Sequence, residues 1–378
     1  ASPDHVIRIK SRPLILRETV WSKGREAIKQ ELDKYAKEYK AMFERQAPLA
    51  NQPKTMLPTD PKNIWMEDIG LIGLGANAKA ASIAGDLAVQ NARVRAIGED
   101  AGGFRPISEK DLFDCEYWSL EQAKLGKGAP PKFQGKIVMI TGGSGTIGFA
   151  IAEAFSKLGA QTVLVDKDET TLKKAITKLG HGHGYFPIDV TEADAANQAM
   201  LAAIQKFGGL DILVSNAGAA HAGPMLSISN DELRSAFELN FFSHYSFSTA
   251  AAKILKNQNR GGQILFNISK QAVNPGKNFG AYGLPKATTF FLMRQLALEL
   301  GSDGIRVNGV NADRIRSGLL TDDFISSRAK SRGVSESEYM AGNLLGKEVT
   351  AEHVADAFTS LACAESTTGH VMTVDGGN

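Results

Sequence analysis

The chain has 378 residues, of which 43% are hydrophobic and 22% are charged, and its formal net charge is +2. This composition is typical of a soluble globular protein with about two domains, and the small charge gives no electrostatic attraction to nucleic acid or to a membrane surface. No apolar run reaches the roughly 18 residues that a membrane span needs, and no secretory signal is visible. The two cysteines, Cys115 and Cys363, form no spacing motif and predict a reducing, cytoplasmic location. The chain begins at Ala1 instead of Met, which predicts a processed chain or a fragment.

Residues 1–130 are predicted to form a mostly helical N-terminal extension and a linker. Residues 25–44 have the spacing of an amphipathic helix, with apolar residues on one face and charged residues on the other. A glycine run at 70–75 precedes another helix, but no following strand ends in an acidic residue, so we interpret the run as structural. Residues 106–131 are typical of a docking arm that leads into a linker. Nothing in this region groups His, Cys and carboxylates as a metal site requires.

Residues 131–378 alternate between strand and helix patterns. This alternation predicts an α/β fold, a Rossmann-like doubly wound parallel sheet with helices on both faces. The predicted strands are 136–140, 161–165, 184–188, 210–215, 262–268, 305–310 and 370–374. The predicted helices are 147–158, 168–179, 191–207, 229–257, 281–301 and 350–363.

A glycine-rich stretch follows the first of these strands and leads into a helix. Glycine has no Cβ and permits positive φ, so a pyrophosphate can approach the backbone while the first N–H groups of the helix face the anion. The next strand ends in Asp166, which is placed to bind the adenosine ribose and favours NAD over NADP, although Lys167 weakens that preference. The cofactor-binding residues predicted here are Thr141, Gly142, Ser144, Gly145, Thr146, Ile147, Gly148 and Asp166.

Two later strand ends extend the predicted cofactor site. Asp189, with Val190 beside it, could hold the adenine amino group, and it could also cap a helix that starts at Thr191. Small residues after the next strand would let the backbone pass beneath the adenosine half of a cofactor, although a plain turn is the alternative. These residues are Asn216, Ala217 and Gly218.

A tyrosine and a lysine lie one helical turn apart, on one face of a predicted helix. A nearby ammonium lowers the pKa of a phenol, which would suit Tyr282 as an acid/base, and Lys286 can also hold the nicotinamide ribose. Ser269 ends the preceding strand and could hydrogen-bond a substrate oxygen. Asn240 could anchor a water for proton relay, and a buried asparagine satisfied by the backbone is the alternative.

In this order, these residues resemble the short-chain dehydrogenase/reductase family over residues 133–378. The resemblance implies NAD as the cofactor and a tyrosine-based mechanism. The roles that it implies are general acid/base for Tyr282, pKa tuning and ribose binding for Lys286, carbonyl orientation for Ser269, and support of a proton relay for Asn240.

The chain departs from that family's pattern at the serine. Counting back from Tyr282 places Ser269 at the position of the family's catalytic serine. Aligning on the strand places Lys270 at that position instead. The glycine stretch also differs, because Thr146 stands where the commoner subclass has a glycine and the spacing matches the TGxxGxxG variant.

A further departure follows the strand 305–310, where Ala312-Asp313 replaces the usual Pro-Gly. Arg314 and Arg316 come next, close to where nicotinamide and substrate should meet. Two guanidiniums there, with Lys270 and Asp313 nearby, could clamp a carboxylate or phosphate. Pairing of the arginines with Asp313 or Asp322 is an equally good interpretation.

Other stretches extend the resemblance to two-part proteins in which a class II sugar-phosphate aldolase half precedes a short-chain dehydrogenase half. These stretches are residues 3–8, 111–124, 269–275 and 311–318. In that group the context is rhamnulose-phosphate cleavage and lactaldehyde oxidation. Most of the metal-binding aldolase half would lie before Ala1, so aldolase activity is not predicted for this chain.

We therefore predict an NAD-dependent oxidoreductase of carbohydrate metabolism. Its substrate would be a small hydroxyaldehyde, polyol or sugar-derived alcohol, neutral or anionic, with no metal, nucleic acid or membrane involved. Residues 317–346 are predicted to be a lid or a surface insert. The apolar surface of helices 229–257 and 281–301 predicts a homo-oligomer. The alternative function is a non-catalytic NAD-binding sensor or scaffold module.

Overall fold

The computed structural model describes residues 3–123, 128–220 and 222–378. The chain divides into two units, Ala1–Pro130 and Pro131–Asn378. The start of the chain at Ala1 and part of the predicted linker, residues 126 and 127, lie outside the described residues. Within the described ranges, every helix is too short or too polar to span a bilayer.

The first unit combines helices with a small sheet. Its helices are α1 (Pro3–Ile9), α2 (Glu18–Trp21), α3 (Arg25–Gln46), α4 (Ala78–Asp100), α5 (Glu109–Glu116) and α6 (Ser119–Gln122). Its strands are β1 (Leu14–Leu16), β2 (Asn63–Met66) and β3 (Gly70–Gly73), in the order β1-β2-β3. The sequence does not predict this sheet, because strands of three or four residues are too short to show alternation.

The glycine run at 70–75 forms β3 and packs against α4. A Cβ on Gly73 would lie 2.3 Å from the carbonyl oxygen of Ala81, and a Cβ on Gly75 would lie 2.3 Å from the nitrogen of the same residue. The run therefore lets strand and helix backbones approach closely, as the structural interpretation expects.

A buried polar cluster joins the segment after α1 to α3 and α5. The Nζ of Lys10 lies 4.0 Å from Oε1 of Glu116 and 3.3 Å from the centre of the Tyr39 ring. The Tyr39 hydroxyl donates to Glu116 at 2.8 Å and lies 2.8 Å from the Tyr117 hydroxyl. The carboxylate is therefore at ion-pair distance from the buried ammonium, although Nζ of Lys10 has no hydrogen-bond acceptor among the described residues.

The second unit is organised by a seven-stranded parallel sheet, which confirms the predicted fold class. Its order is β10-β9-β8-β7-β4-β5-β6. The strands are β4 (Ile137–Thr141), β5 (Gln161–Asp166), β6 (Gly184–Pro187), β7 (Ile212–Ser215), β8 (Gly262–Asn267), β9 (Ile305–Ala312) and β10 (Val371–Val374). Every residue of β4 is buried, because helices cover both faces of the sheet.

Helices pack on both faces of this sheet through two apolar clusters. One cluster includes α9, α11 and α12, and the other includes α7, α8 and α15. The helices of the unit are α7 (Thr146–Lys157), α8 (Glu169–Leu179), α9 (Ala195–Phe207), α10 (Asn230–Phe237), α11 (Ser243–Gln258), α12 (Gly280–Leu300), α13 (Asp322–Arg332), α14 (Glu336–Met340) and α15 (Ala351–Cys363).

The predicted helix 229–257 is interrupted. A π-helical turn, Glu238–Phe242, separates α10 from α11 and contains Asn240. Turns of this kind are rare and often occur at functional sites, because they displace one side chain from the regular helical position.

The predicted lid or insert, 317–346, contains the short helices α13 and α14. Its buried side chains form a small apolar cluster of their own, made of Leu320, Ile325, Ala329, Tyr339 and Met340. This segment lies in the chain between β9 and α15, so it follows the carboxyl end of a sheet strand.

Candidate active site

A cavity of about 1360 Å³ opens at the carboxyl ends of the parallel strands. It lies where the strand order reverses, since β4 has β5 on one side and β7 on the other. Ligands of open α/β sheets bind at such switch points. The predicted site residues that line the cavity are Gly142, Gly145, Thr146, Ile147, Gly148, Asp166, Asp189, Val190, Asn216, Ala217, Gly218, Ser269, Lys270, Tyr282, Lys286, Asp313 and Arg314.

The turn after β4 has no room for side chains at two glycine positions. Gly142 has a φ of +61°. A Cβ on Gly148 would lie 2.1 Å from the carbonyl oxygen of Gly142. Helix α7 begins at Thr146, and its N-cap residue, Gly145, provides no side-chain cap. The first-turn N–H groups therefore have no side-chain acceptor from the cap, and the turn suits a phosphate group.

Two predicted cofactor residues lie outside the cavity lining. The Oγ1 of buried Thr141 accepts hydrogen bonds from the backbone nitrogens of Asn216 at 2.9 Å and Ala217 at 3.1 Å. The Ser144 hydroxyl donates to Asp166 at 2.7 Å. These side chains therefore brace the turn, because backbone nitrogens after β7 bind the Thr141 hydroxyl and Asp166 binds the Ser144 hydroxyl.

Asp166 ends β5 at the edge of the cavity. Its Oδ2 accepts hydrogen bonds from the nitrogen and hydroxyl of Ser144, and its Oδ1 accepts one from the nitrogen of Lys167 at 2.8 Å. A carboxylate has about four acceptor positions, so this side chain retains capacity for ribose hydroxyls.

Asp189 closes a tight turn at the cavity wall. Its Oδ1 accepts hydrogen bonds from the nitrogen and hydroxyl of Thr191, at 3.0 and 2.7 Å, and these bonds lower the pKa of Asp189. Helix α9 starts only at Ala195. The residue therefore does not cap a helix at Thr191, since the turn lies ahead of the helix.

The segment after β7 ties three strand ends together. The Nδ2 of Asn216 donates to the carbonyl oxygen of Thr141 at 2.9 Å, and its Oδ1 accepts a hydrogen bond from Asn267 at 2.8 Å. A Cβ on Gly218 would lie 2.8 Å from Oδ1 of Asn240. This packing fixes the floor of the cleft between β4 and β8.

The phenol of Tyr282 lies in the cleft, and its side chain is 8% exposed. Burial raises the pKa of Tyr282, and a hydrogen bond with Ser269 opposes that rise. Lys270 lies close to Asp375 (3.6 Å) and Asp313 (3.9 Å). Of the two serine-position alternatives, Ser269 is thus the residue that contacts the phenol.

Lys286 is 2% exposed, and its Nζ lies 5.9 Å from the centre of the Tyr282 ring. The Nζ donates to the carbonyl oxygen of Asn267 at 3.0 Å and lies 3.3 Å from Nε2 of His244. Burial lowers the pKa of Lys286 to about 7. The opposite ring nitrogen, Nδ1, lies 2.6 Å from the Ser215 hydroxyl, and burial together with the adjacent lysine lowers the pKa of His244 well below its usual value.

Sequence reasoning missed His244. It lies within the helical pattern 229–257 and has no motif of its own. The lysine and the histidine meet only because α11 and α12 pack on the same face of the sheet.

Asn240 is fully buried behind the cleft. Its Nδ2 donates to the carbonyl oxygens of Ala219 at 2.9 Å and Ala236 at 3.1 Å, as the backbone-satisfied interpretation expects. Its Oδ1, however, has no hydrogen-bond partner among the described residues. Nζ of Lys286 and this oxygen both lie near Gly218, and a buried acceptor without a protein partner is typical of an ordered-water site.

The two arginines after β9 differ in position. Arg314 lines the cavity, donates to the carbonyl oxygen of Tyr339 at 2.7 Å, and lies 3.5 Å from Asp313. Arg316 pairs with Asp322 at 2.7 Å and with Glu348 at 2.8 Å, outside the lining. Of the two interpretations left open for Arg316, the structure shows the pairing with Asp322, and Arg316 lies outside the cavity lining.

Two family models match the chain. The model described as enoyl-(acyl carrier protein) reductase matches residues 143–378, and the model described as aldolase class II, second domain, matches residues 1–125. The two matches correspond to the halves of the two-part proteins that the sequence resembles.

The chain is 31% identical over its whole length to an uncharacterized oxidoreductase of Bacillus subtilis, YuxG, and spans 57% of that protein's length. It is 31% identical to short-chain dehydrogenase reductase 3b of Arabidopsis thaliana, with 65% of this chain and 96% of that protein covered. A solved structure of 3-ketoacyl-(acyl-carrier-protein) reductase from Brucella melitensis, complexed with NADH, is similar with a TM-score of 0.59 and 26% identity. That match covers 64% of this chain and 98% of the other.

Proposed function

The chain belongs to the short-chain dehydrogenase/reductase family, and on this premise we propose that it is an NAD-dependent oxidoreductase. Its substrate would be a small hydroxyaldehyde, polyol or sugar-derived alcohol, or the matching carbonyl compound, and Tyr282 would be the acid/base. The observation that carries the proposal is that Tyr282 and the glycine turn after β4 line one cavity.

The residues present fit a dinucleotide. The close approach at Gly148 and the uncapped start of α7 suit a pyrophosphate, and Asp166 suits the ribose hydroxyls but would repel a 2′-phosphate. Lys286 would hold the nicotinamide ribose. A bound NAD would supply the hydride acceptor at nicotinamide C4.

Tyr282 would exchange a proton with the substrate oxygen while the carbinol C–H bond breaks or forms. Ser269 would hold that oxygen against the phenol, to which it is already hydrogen-bonded. Because burial raises the pKa of Tyr282, the resting phenol is protonated at neutral pH and is ready to donate to a carbonyl. Oxidation requires the phenol to lose its proton first. A protonated Lys286 would favour that loss, and because the pKa of Lys286 is about 7, its charge is lost as the pH rises above neutral.

The first test replaces the phenol hydroxyl. Tyr282→Phe is expected to lower kcat/KM at least about 100-fold, because the proton-transfer group is removed while the ring remains. The measurement is NADH formation on a panel of hydroxyaldehydes and polyols with NAD and with NADP, beside NADH binding followed by fluorescence. Tyr245→Phe is the matched control, since that tyrosine is 48% exposed.

Turnover that survives Tyr282→Phe would end the proposal. Tight NADH binding with no turnover on the whole panel would instead support the sensor or scaffold alternative.

We also propose that the enzyme is a cytoplasmic homo-oligomer. In support, α12 exposes large apolar side chains, with Phe291 70% and Leu298 81% exposed. Exposed apolar residues on one helix are typical of a surface that a second copy covers.

A further inference from the structure

Helix α13 presents two arginines to the cleft. Arg328 and Arg332 are one helical turn apart, so they lie on the same face, and both line the cavity. Neither residue is part of a sequence motif.

These two charges lack the carboxylate partners that other arginines here have. In the described ranges, no ion pair involves Arg328 or Arg332, whereas Arg316 contacts two acids. The Nε of Arg328 is buried and has no hydrogen-bond partner among the described residues. A buried guanidinium nitrogen without an acceptor is unfavourable unless a ligand supplies one.

Aromatic rings hold the guanidiniums in place. Arg328 lies 5.3 Å from the ring centre of Phe279 and 5.5 Å from that of Phe324. Arg332 and Arg314 each lie 5.1 Å from the ring centre of Tyr339. Ring faces orient planar guanidiniums without neutralising them, so Arg328 and Arg332 keep N–H groups for an anion, whereas Arg314 donates to the carbonyl oxygens of Tyr339 and Gly342.

Arg314, Arg328 and Arg332 form one part of the cavity lining, which we call the cationic wall. Its positive charge exceeds the negative charge beside it. Arg314 is the only one of the three arginines with a carboxylate within 4.0 Å in the described part of the chain, namely Asp313. Like charges one turn apart on a helix repel each other, and a bound anion would relieve that repulsion.

The cationic wall and the phenol belong to one cavity. Phe279, which lies against Arg328, is the N-cap of α12, and its carbonyl oxygen accepts a hydrogen bond from the nitrogen of Tyr282 at 3.1 Å. The two residues are therefore within one helical turn, about 5 Å along the axis. Arg328, Arg332 and Tyr282 also line the same cavity.

We propose that Arg328 and Arg332 form an anion-binding subsite, and that the physiological substrate carries a carboxylate or phosphate a few bonds from its reacting carbon. The inference deepens the proposed function and rests on it. Guanidinium forks bind both anions through paired N–H bonds, so the shared chemistry is a small oxyanion.

The test compares matched substrates and variants. The substrates are glyceraldehyde, glycerate and glyceraldehyde 3-phosphate, each assayed with NAD. The variants are Arg328→Gln, the double variant Arg328→Gln/Arg332→Gln, Arg328→Lys, and the control Lys330→Gln, whose exposed side chain lies on the same helix but not in the lining.

The wild type is expected to prefer one of the two anionic compounds at least tenfold in kcat/KM over glyceraldehyde. The double variant is expected to lose that preference, Arg328→Lys to keep part of it, and Lys330→Gln to keep all of it. Comparing kcat/KM for glycerate with kcat/KM for glyceraldehyde 3-phosphate then shows whether the subsite prefers a carboxylate or a phosphate.

Binding is measured separately by calorimetry with inorganic phosphate and with malonate, in the presence of saturating NADH so that the glycine turn is filled. Binding that weakens at least tenfold in the double variant supports the subsite, even if no compound is turned over and the proposed function fails. Equal use of neutral and anionic substrates, or anion binding that the double variant leaves unchanged, overturns the inference.

Discussion

A buried lysine lies in each unit, and the two have opposite surroundings. In the first unit, Lys10 lies 4.0 Å from Glu116 and against the Tyr39 ring, and burial lowers its pKa to about 8. In the second unit, Lys286 has a carbonyl oxygen and a neutral imidazole as partners, and burial lowers its pKa to about 7. No carboxylate pairs with Lys286 among the described residues, and the side chain lines the cleft.

The difference in partners separates a lysine that stabilises the fold from a lysine that takes part in the chemistry of the site. A buried charge with its own acid is neutralised within the fold and is available to nothing else. A buried cation without an acid is expensive for the fold, and it is typical of a site where a ligand or a reaction uses the charge. By this criterion, Lys286 belongs to the site and the Lys10 cluster belongs to the core.

The largest expected effect is on turnover. Lys286→Met should lower kcat/KM at least about 100-fold, because the phenol loses its tuning charge and the cofactor ribose loses a donor. Lys10→Met, an identical replacement in the other unit, should leave kcat/KM nearly unchanged. Both are measured by NADH formation with the best substrate of the panel, and equal losses in the two variants would contradict the comparison.

The next effect is on stability of the first unit. Glu116→Gln should lower its free energy of unfolding by about 3 kcal/mol, because the change leaves the Lys10 ammonium buried without a carboxylate. The measurement is urea unfolding followed by tryptophan fluorescence, since Trp21, Trp65 and Trp118 all belong to this unit. Adding Lys10→Met to Glu116→Gln should restore most of the loss, and a double variant as unstable as the single one would argue against the pairing.

The smallest effect per step of the measurement is a pH dependence that Lys286 alone should impose on the second unit. Between about pH 7 and the usual lysine pKa of 10.5, the unfolded chain binds a proton at Lys286 that the folded chain does not. The free energy of unfolding should therefore rise with pH by about 1.4 kcal/mol per unit at most in that window. Subtracting the curve of Lys286→Met, measured by urea unfolding and circular dichroism, isolates the contribution. A difference curve without slope would show that the lysine stays protonated when buried.

Much of the second unit could be predicted because its signals are local. Parallel strands buried on both faces are continuous apolar runs, and each of β4 to β10 overlaps a predicted strand. The glycine turn was identifiable because its backbone requirements exclude other residues. The sheet of the first unit could not be predicted, because its strands are too short to show an alternation of apolar and polar residues.

The candidate site was predictable only in part. The Tyr282 and Lys286 pair follows from helical spacing, and Asp166 from its place at a strand end. For Arg316 the sequence left an anion clamp and pairing with Asp322 both open, because spacing along the chain does not say which acid a side chain will meet.

The sequence by itself determined the order of strands and helices, the glycine turn and the tyrosine–lysine face, because each depends on neighbours within a few residues. Only the tertiary structure decided that His244 contacts Lys286, that Thr141 and Ser144 brace the turn, and that Arg328 and Arg332 face the cleft without acids. Burial and charge pairing depend on residues brought together from distant parts of the chain. The environment of each buried charge therefore emerged only when the helices were packed on the sheet.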